Sequence, residues 1–129
     1  MFTVQSGDLR GGPRDVEQPD WSSLRLLVAT DGLGYSLNDT VVYAGTAMTL
    51  EYRNHIETCF CIAGDGEILD MASGEVHRIR PGTVYVLDKH DRHELRVDEG
   101  ADMRLISIFT PALRGDEVHG PDGSYAAAD

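Results

Sequence analysis

A carboxylate, a phenol and an imidazole are the residues on which chemistry would turn in this chain: Glu57, Tyr85 and His93. Tyr85 and His93 stand in RPGTVYVLDKHDRHELRV, Arg80–Val97. That stretch opens on a Pro81-Gly82 turn and continues as a β-rich run, Thr83–Leu87. A polar knot, Asp88–His93, follows, and then a second short strand, Glu94–Val97. A turn that feeds a strand and then a cluster of possible ligands is a common way to aim side chains into a pocket; taken singly, Tyr85 reads as strand packing and His93 as a surface or hydrogen-bonded histidine. Glu57 lies upstream on NHIETCFCIA, Asn54–Ala63, the clearest strand in the sequence. A period of two puts His55, Glu57, Cys59 and Cys61 on one face. Ile56, Thr58, Phe60 and Ile62 share the other, which reads as core. A buried Glu is costly unless it is paired or bound to a cation. The plain alternative is a salt-bridged Glu beside a hydrogen-bonded His, and this strand alone does not separate the two.

Other residues carry weaker signals. Trp21 and Arg25 could clamp a small anion, the guanidinium on a carboxylate and the indole as a stacking wall; the alternative is an aromatic anchor and a surface charge. Glu117 and His119 stand in a polar tail, where solvated charge is the simpler reading. His77 and His90 read as structural or exposed. Cys59 and Cys61 lie two apart on one strand, a separation of about 6.5–7 Å that is near or beyond an unstrained disulfide. They read as reduced thiols of a cytoplasmic protein, since a Cys-x-Cys metal site lacks its second pair.

The elements that must position these residues are short strands. The 129 residues suffice for one domain, taken as 1–129, and 41% hydrophobic content suffices for a core. Strands are expected over Met1–Gln5, Trp21–Thr30, Tyr35–Val42 with a bend at Asn38-Asp39, Met48–Tyr52, Asn54–Ala63, Glu67–Met71, Glu75–Ile79, Thr83–Leu87, Glu94–Val97 and Met103–Phe109. Glu67–Met71 is expected to return on Asn54–Ala63 as a hairpin around Gly64-Asp65-Gly66. Turns rich in Gly or Pro recur about every ten residues, which points to an all-β fold, a small antiparallel β-sandwich or barrel with a polar C-terminal tail. Eleven Lys and Arg against 22 Asp and Glu give a net charge of −11. No basic stripe exists for nucleic acid, and the balance disfavours anionic membranes. No apolar run approaches the ~20 residues of a membrane span.

The order of these features resembles a cupin: His-x-Glu on a strand, then Gly-x-Gly-Glu, then Pro-Gly-x-x-Tyr. Within the cupins the chain is similar to the ectoine synthase family. The segments that carry this are WSSLRLL (Trp21–Leu27), DGLGYSLNDTVVYAGT (Asp31–Thr46), EYRNHIE (Glu51–Glu57), CIAGDGEI (Cys61–Ile68), PGTVYVLDKHDRHELR (Pro81–Arg96) and EVHGPDGSY (Glu117–Tyr125). LDKHD is the most specific. The resemblance implies a cupin barrel (jelly roll), a head-to-tail homodimer, and ring closure of N-γ-acetyl-L-2,4-diaminobutyrate to ectoine with loss of water. By position it implies Glu57, Tyr85 and His93 as ligands of iron, Fe(II). It implies a substrate pocket drawing on Trp21, Arg25, Asn38, Thr40, Tyr52, His55, Leu87, Asp91, Phe109, Glu117 and His119. Two departures stand out: Ser107 replaces an expected Cys two before the Phe, and Thr58-Cys59-Phe60 replaces Ala-Val-Tyr or similar.

The reaction so implied needs an amide carbonyl polarised, both ends of a flexible molecule held together, and water expelled. A divalent metal with three protein ligands and open positions suits the first need, and this mostly oxygen-donor set would also accept other divalent metals. Holding the substrate curled meets the second. Tyr52, His55 and Glu117 are the candidates for proton transfer. Tyr52 falls on the face opposite Glu57 if one regular strand joins them, so a break near Arg53-Asn54 is required. The rival is a non-catalytic cupin that binds a small solute or metal.

Overall fold

The computed structural model describes residues 1–127; the end of the tail expected to be polar, at Ala128 and Asp129, lies outside the described residues. Two antiparallel sheets face one another. The first holds β1 (Asp15–Glu17), β2 (Trp21–Leu27), β3 (Ser36–Val42), β10 (Met103–Thr110), β5 (Ile56–Ala63) and β8 (Val84–Leu87), in that order. The second holds β4 (Ala47–Leu50), β9 (His93–Val97), β6 (Gly66–Asp70) and β7 (Val76–Ile79). Period-two alternation is visible in burial: β10 reads buried at Met103, Leu105, Ser107 and Phe109 and open between them. The inward sets, with Leu50, Ile68, Ile79, Leu95 and Val97 from the second sheet, make one core between the layers.

Several expectations are corrected. Met1–Gln5 is not a strand; it leads into a four-residue helix, Ser6–Leu9. β2 ends at Leu27, and a 3₁₀ turn, Ala29–Asp31, follows. β3 runs through Asn38-Asp39 without a bend, because both residues keep their ladder partners on β2 and β10. β6 does not fold back on β5. It pairs with β7 and β9 in the opposite sheet. The cause is local: Gly64 has φ +82°, and a Cβ there would lie 2.4 Å from the Asp102 carbonyl oxygen. The chain turns a tight corner between sheets against the loop before β10, a course open only to glycine.

β5 corrects a second expectation. Glu57, Cys59 and Cys61 face the interior, whereas Ile56, Phe60 and Ile62 are exposed. Period two groups the two sets correctly, but it is the apolar set that is exposed. The tail is also more ordered than its composition suggests. Leu113 is fully buried, its N–H donates to Ser36 Oγ (3.1 Å) and its carbonyl accepts from Ala29 N–H (2.7 Å). The tail then returns to the mouth of the sandwich, where Glu51 N–H donates to the Gly123 carbonyl (3.1 Å).

Candidate active site

Strand register assembles the site. Across the inner face of the six-stranded sheet, Arg25 pairs with Asn38, Asn38 with Ser107, Ser107 with Cys59, and Cys59 with Tyr85. Five polar side chains from β2, β3, β10, β5 and β8 therefore form a single row. The neighbouring row brings Phe109 beside Glu57 and Glu57 beside Leu87. From the facing sheet, β9 contributes His93, paired with Leu50 of β4 and Asp70 of β6. Tyr52 arrives on the connection between β4 and β5, which lie in different sheets. No continuous strand joins it to Glu57, so the parity obstacle vanishes.

A narrow cavity of about 30 Å³ is bounded by Trp21, Asn38, Thr40, Tyr52, Glu57, Tyr85, Ser107, Phe109, His119 and Tyr125, among others. Its space is smaller than an acetylated diamino acid, so a solute of that size enters only as the lining shifts. A wider cleft between the free edges of β7 and β8 reaches Tyr85 from outside and is lined by His93, Leu87 and Asp91. Tyr85 thus stands between the two spaces. Leu87 and Asp91, expected at the substrate, line the outer cleft rather than the inner cavity. The Asp91 carbonyl accepts from His93 Nδ1 (2.8 Å). That bond puts the proton of a neutral imidazole on Nδ1 and leaves Nε2 as a lone-pair donor, the state a metal ligand needs.

Burial sets the electrostatics. Glu57 is 7% exposed, and desolvation lifts its carboxyl to about 7, against smaller opposing effects of the Cys59 thiol and Arg25. Among the described residues no basic side chain forms an ion pair with it. Burial also pushes the Tyr85 and Tyr52 phenols well up, and holds the His93 imidazole below its ordinary value. His119 falls to about 4, first through burial and then through the Arg25 and His93 charges. Its Nε2 shares a hydrogen bond with the Tyr52 hydroxyl (2.8 Å).

Arg25 is fully buried. Its Nε donates to Ser23 Oγ (3.0 Å), its Nη2 donates to the Glu117 carbonyl (2.9 Å), and Nη1 lies 3.6 Å from the Glu117 carboxylate without a hydrogen bond. The Glu117 carboxylate accepts from the backbone N–H groups of Arg114 (2.7 Å) and Gly115 (2.8 Å). Glu117 is therefore a fixed counter-charge to Arg25, and Arg25, His55 and Glu117 all lie behind the residues that line the cavity. His55 is 1% exposed and neither ring nitrogen has a partner. Its ring meets Phe109 and Tyr125 edge-on, and burial lowers its pKa. Asn38 Oδ1 is likewise buried without a partner. Buried polar atoms left unpaired cost free energy and commonly await a ligand.

His77 is exposed and lies 3.5 Å from Glu75, while His90 Nδ1 donates to the Tyr52 carbonyl (2.7 Å). Both are structural or surface residues, as their flanks suggest. Cys59 and Cys61 are free thiols. Ser23 and Tyr125 escaped the sequence reading. Ser23 Oγ bonds Thr40 Oγ1 (2.9 Å) as well as Arg25, and its place two before Arg25 on one strand was the available signal. Tyr125 is a lone aromatic in a polar tail. Among the described residues no three His, Cys, Asp or Glu side chains converge as a metal centre.

Two facing antiparallel sheets with a site between them define a cupin-type barrel. The cupin domain of Schizosaccharomyces pombe Cnp3 superposes with a TM-score of 0.62 at 12% identity over 74% of this chain and 69% of its own, a likeness of fold alone. The family is narrower: the model for ectoine synthase matches residues 1–129, and the chain belongs to that family of enzymes. The L-ectoine synthase of Desulfatibacillum aliphaticivorans is 48% identical over 100% of this chain and 99% of its own. The L-ectoine synthase of Vibrio parahaemolyticus is 40% identical over the full length of both. The crystal structure of ectoine synthase from P. lautus superposes with a TM-score of 0.87 at 39% identity, covering 100% of this chain and 92% of that one.

Proposed function

We propose that this protein closes N-γ-acetyl-L-2,4-diaminobutyrate to ectoine, and that Glu57, Tyr85 and His93 are the residues that would hold a divalent cation, Fe(II). The observation that carries this reading is Glu57: a carboxylate buried inside a barrel without an ion-pair partner, in a family of ectoine-forming cyclases. A carboxylate buried without an ion-pair partner, one strand away from a phenol in the neighbouring row, suits a cation better than a packed core. The ion's contribution when bound is Lewis acidity toward the acetyl carbonyl oxygen.

The chain's own residues do the rest. Arg25 Nη1, the unpartnered donor of a buried guanidinium, takes the substrate carboxylate, and Trp21 forms a wall beside it (5.7 Å from the guanidinium). Asn38 Oδ1 accepts from a substrate N–H. In the reaction the amine nitrogen bonds to the acetyl carbon and the C–O bond breaks. The oxygen departs as water, carrying two protons that the nitrogens give up. Tyr52, hydrogen-bonded to His119, and His55, with both nitrogens free, are the groups that can carry those protons. The aromatic lining excludes bulk water, which favours dehydration.

Two further readings belong to this proposal. The outer face of β10, β5 and β8 exposes Ile56, Phe60, Ile62, Val84, Val86 and Ile108. In a chain of net charge −11, an apolar face beside the open edge of β8, whose neighbouring Arg104 and Asp39 neutralise each other, is where a second copy can approach with little repulsion, so we take the working unit as a homodimer. Two unpaired thiols fit a reducing cytoplasm. Metal-free protein mixed anaerobically with Fe(II) and the acetylated diamino acid tests the activity. Cyclic product by proton NMR is expected; a folded protein that binds the solute without turning it over would make it a binding protein instead.

A further inference from the structure

Tyr125 comes from the tail, yet it lies among the site's rings. It is 5% exposed. Its ring stacks on His119 with centroids 4.5 Å apart and planes 8° from parallel. Phe109 and Tyr52 pack against it at 5.4 and 5.2 Å. The Arg25 guanidinium lies over it at 5.4 Å, so this one cation contacts two aromatic rings, Trp21 and Tyr125. Cation–ring attraction strengthens when the cation is desolvated, and Arg25 is fully buried.

The backbone fixes this ring in place. The Tyr125 carbonyl accepts from Asn54 Nδ2 (2.9 Å). Gly120 N–H donates to the Ser124 carbonyl (2.9 Å) and Gly123 N–H to the Gly120 carbonyl (3.0 Å). Gly123 has φ +78°, and a Cβ there would lie 2.8 Å from the Thr49 carbonyl oxygen and 2.9 Å from Leu50 Cα. Only glycine lets the tail come so close to the end of β4. Residues 120–125 are thus a shaped strap whose geometry delivers one aromatic ring to Arg25 and His119.

We propose that Tyr125 is a positioning residue for the substrate carboxylate, its ring holding the Arg25 guanidinium so that Nη1 stays aimed at the ligand. This rests on the reading of Arg25 given above. An arginine has many rotamers, and a wall on its π-face removes most of them before the ligand arrives. The ring, rather than the hydroxyl, does this, since it is the ring that faces the guanidinium.

Steady-state kinetics of Tyr125→Leu and Tyr125→Phe, loaded with Fe(II), test it. Tyr125→Leu should raise KM for the acetylated diamino acid about tenfold, the weight of one desolvated cation–ring contact, with kcat within about threefold. Tyr125→Phe should restore KM to within about threefold of the parent. Metal stoichiometry and thermal midpoint are read alongside; if Tyr125→Leu does not fold, Tyr125→Met, whose unbranched side chain fills irregular space more readily, takes its place. An unchanged KM in the ring-less variant overturns the proposal. So does an equal defect in Tyr125→Phe, which would assign the effect to the hydroxyl, or a loss confined to kcat. If the parent protein itself forms no cyclic product, the reading of the site falls and this inference with it.

Discussion

The two faces of the six-stranded sheet both depart from a plain sandwich, although the inner one still carries core residues such as Val42, Met103 and Leu105. Its inner face carries Arg25, Asn38, Ser107, Cys59 and Tyr85 in a row, with Glu57 beside them. Its outer face carries Ile56, Phe60, Ile62, Val84, Val86 and Ile108 in the open. Burying polar groups without full pairing, while leaving apolar ones wet, costs stability on both sides. The difference teaches that neither face is complete in the isolated chain. On the proposed reading a cation and a charged solute complete the inner face, and another copy covers the outer one.

The largest expected effect comes from the inner face. Glu57→Ala and His93→Ala should each lower kcat/KM by about 10³-fold or more, the several kcal/mol that a Lewis acid supplies. Metal analysis should find both variants depleted and circular dichroism should find both folded. Full metal occupancy in both would break the inner half of the comparison.

Arg25→Ala comes next. It leaves Glu117 buried beside an empty volume, and removing one partner of a buried pair costs about 3–5 kcal/mol. Urea unfolding measures it. A loss under 1 kcal/mol would mean that the backbone donors of Arg114 and Gly115 suffice for Glu117.

The outer face predicts a change in assembly without a change in chemistry. Phe60→Asp and Val84→Asp should each weaken the dimer about 10–100-fold, as expected for losing one buried apolar side chain and adding a charge. Sedimentation velocity reads the shift, and activity per chain should persist. A dimer indifferent to both changes places the contact elsewhere.

The smallest effect is a pH dependence at His119. Its folded value of about 4 lies below the ordinary 6.5. The unfolded chain therefore binds a proton at this residue in a window where the folded one does not. Stability from this group is intact above pH 6.5 and declines as pH falls toward 4, by about 2 kcal/mol once partial solvent access is allowed for. His119→Gln should flatten that decline in chemical unfolding curves taken across the window. A parallel decline in the variant would assign it to other groups, His93 and His55 among them.

Much of this was legible in the residues, and the gaps have physical causes. Strand positions followed from period two and from Gly and Pro at the turns, since both are local properties. The grouping of Glu57 with Cys59 and Cys61 was legible too, but its direction was not. Hydrophobicity points the apolar set inward, and it fails where a site occupies the interior and a partner can cover the exterior. The corner at Gly64 was read as a hairpin because a Gly-Asp-Gly turn serves both; only the packing of Asp102 and Met103 against it decides. Tyr52 looked misplaced only while β4 and β5 were imagined as one strand. The tail was least legible. Glu117 and Tyr125 sit in polar sequence, and their burial depends on Arg25, almost a hundred positions earlier, which no local pattern reveals.

A crystal grown anaerobically with Fe(II), with data collected on both sides of the iron absorption edge, tests the central claim most directly. One anomalous peak per chain is expected within bonding distance of a Glu57 carboxylate oxygen, Tyr85 Oη and His93 Nε2. A peak elsewhere, or none in protein that still forms the cyclic product, would contradict it.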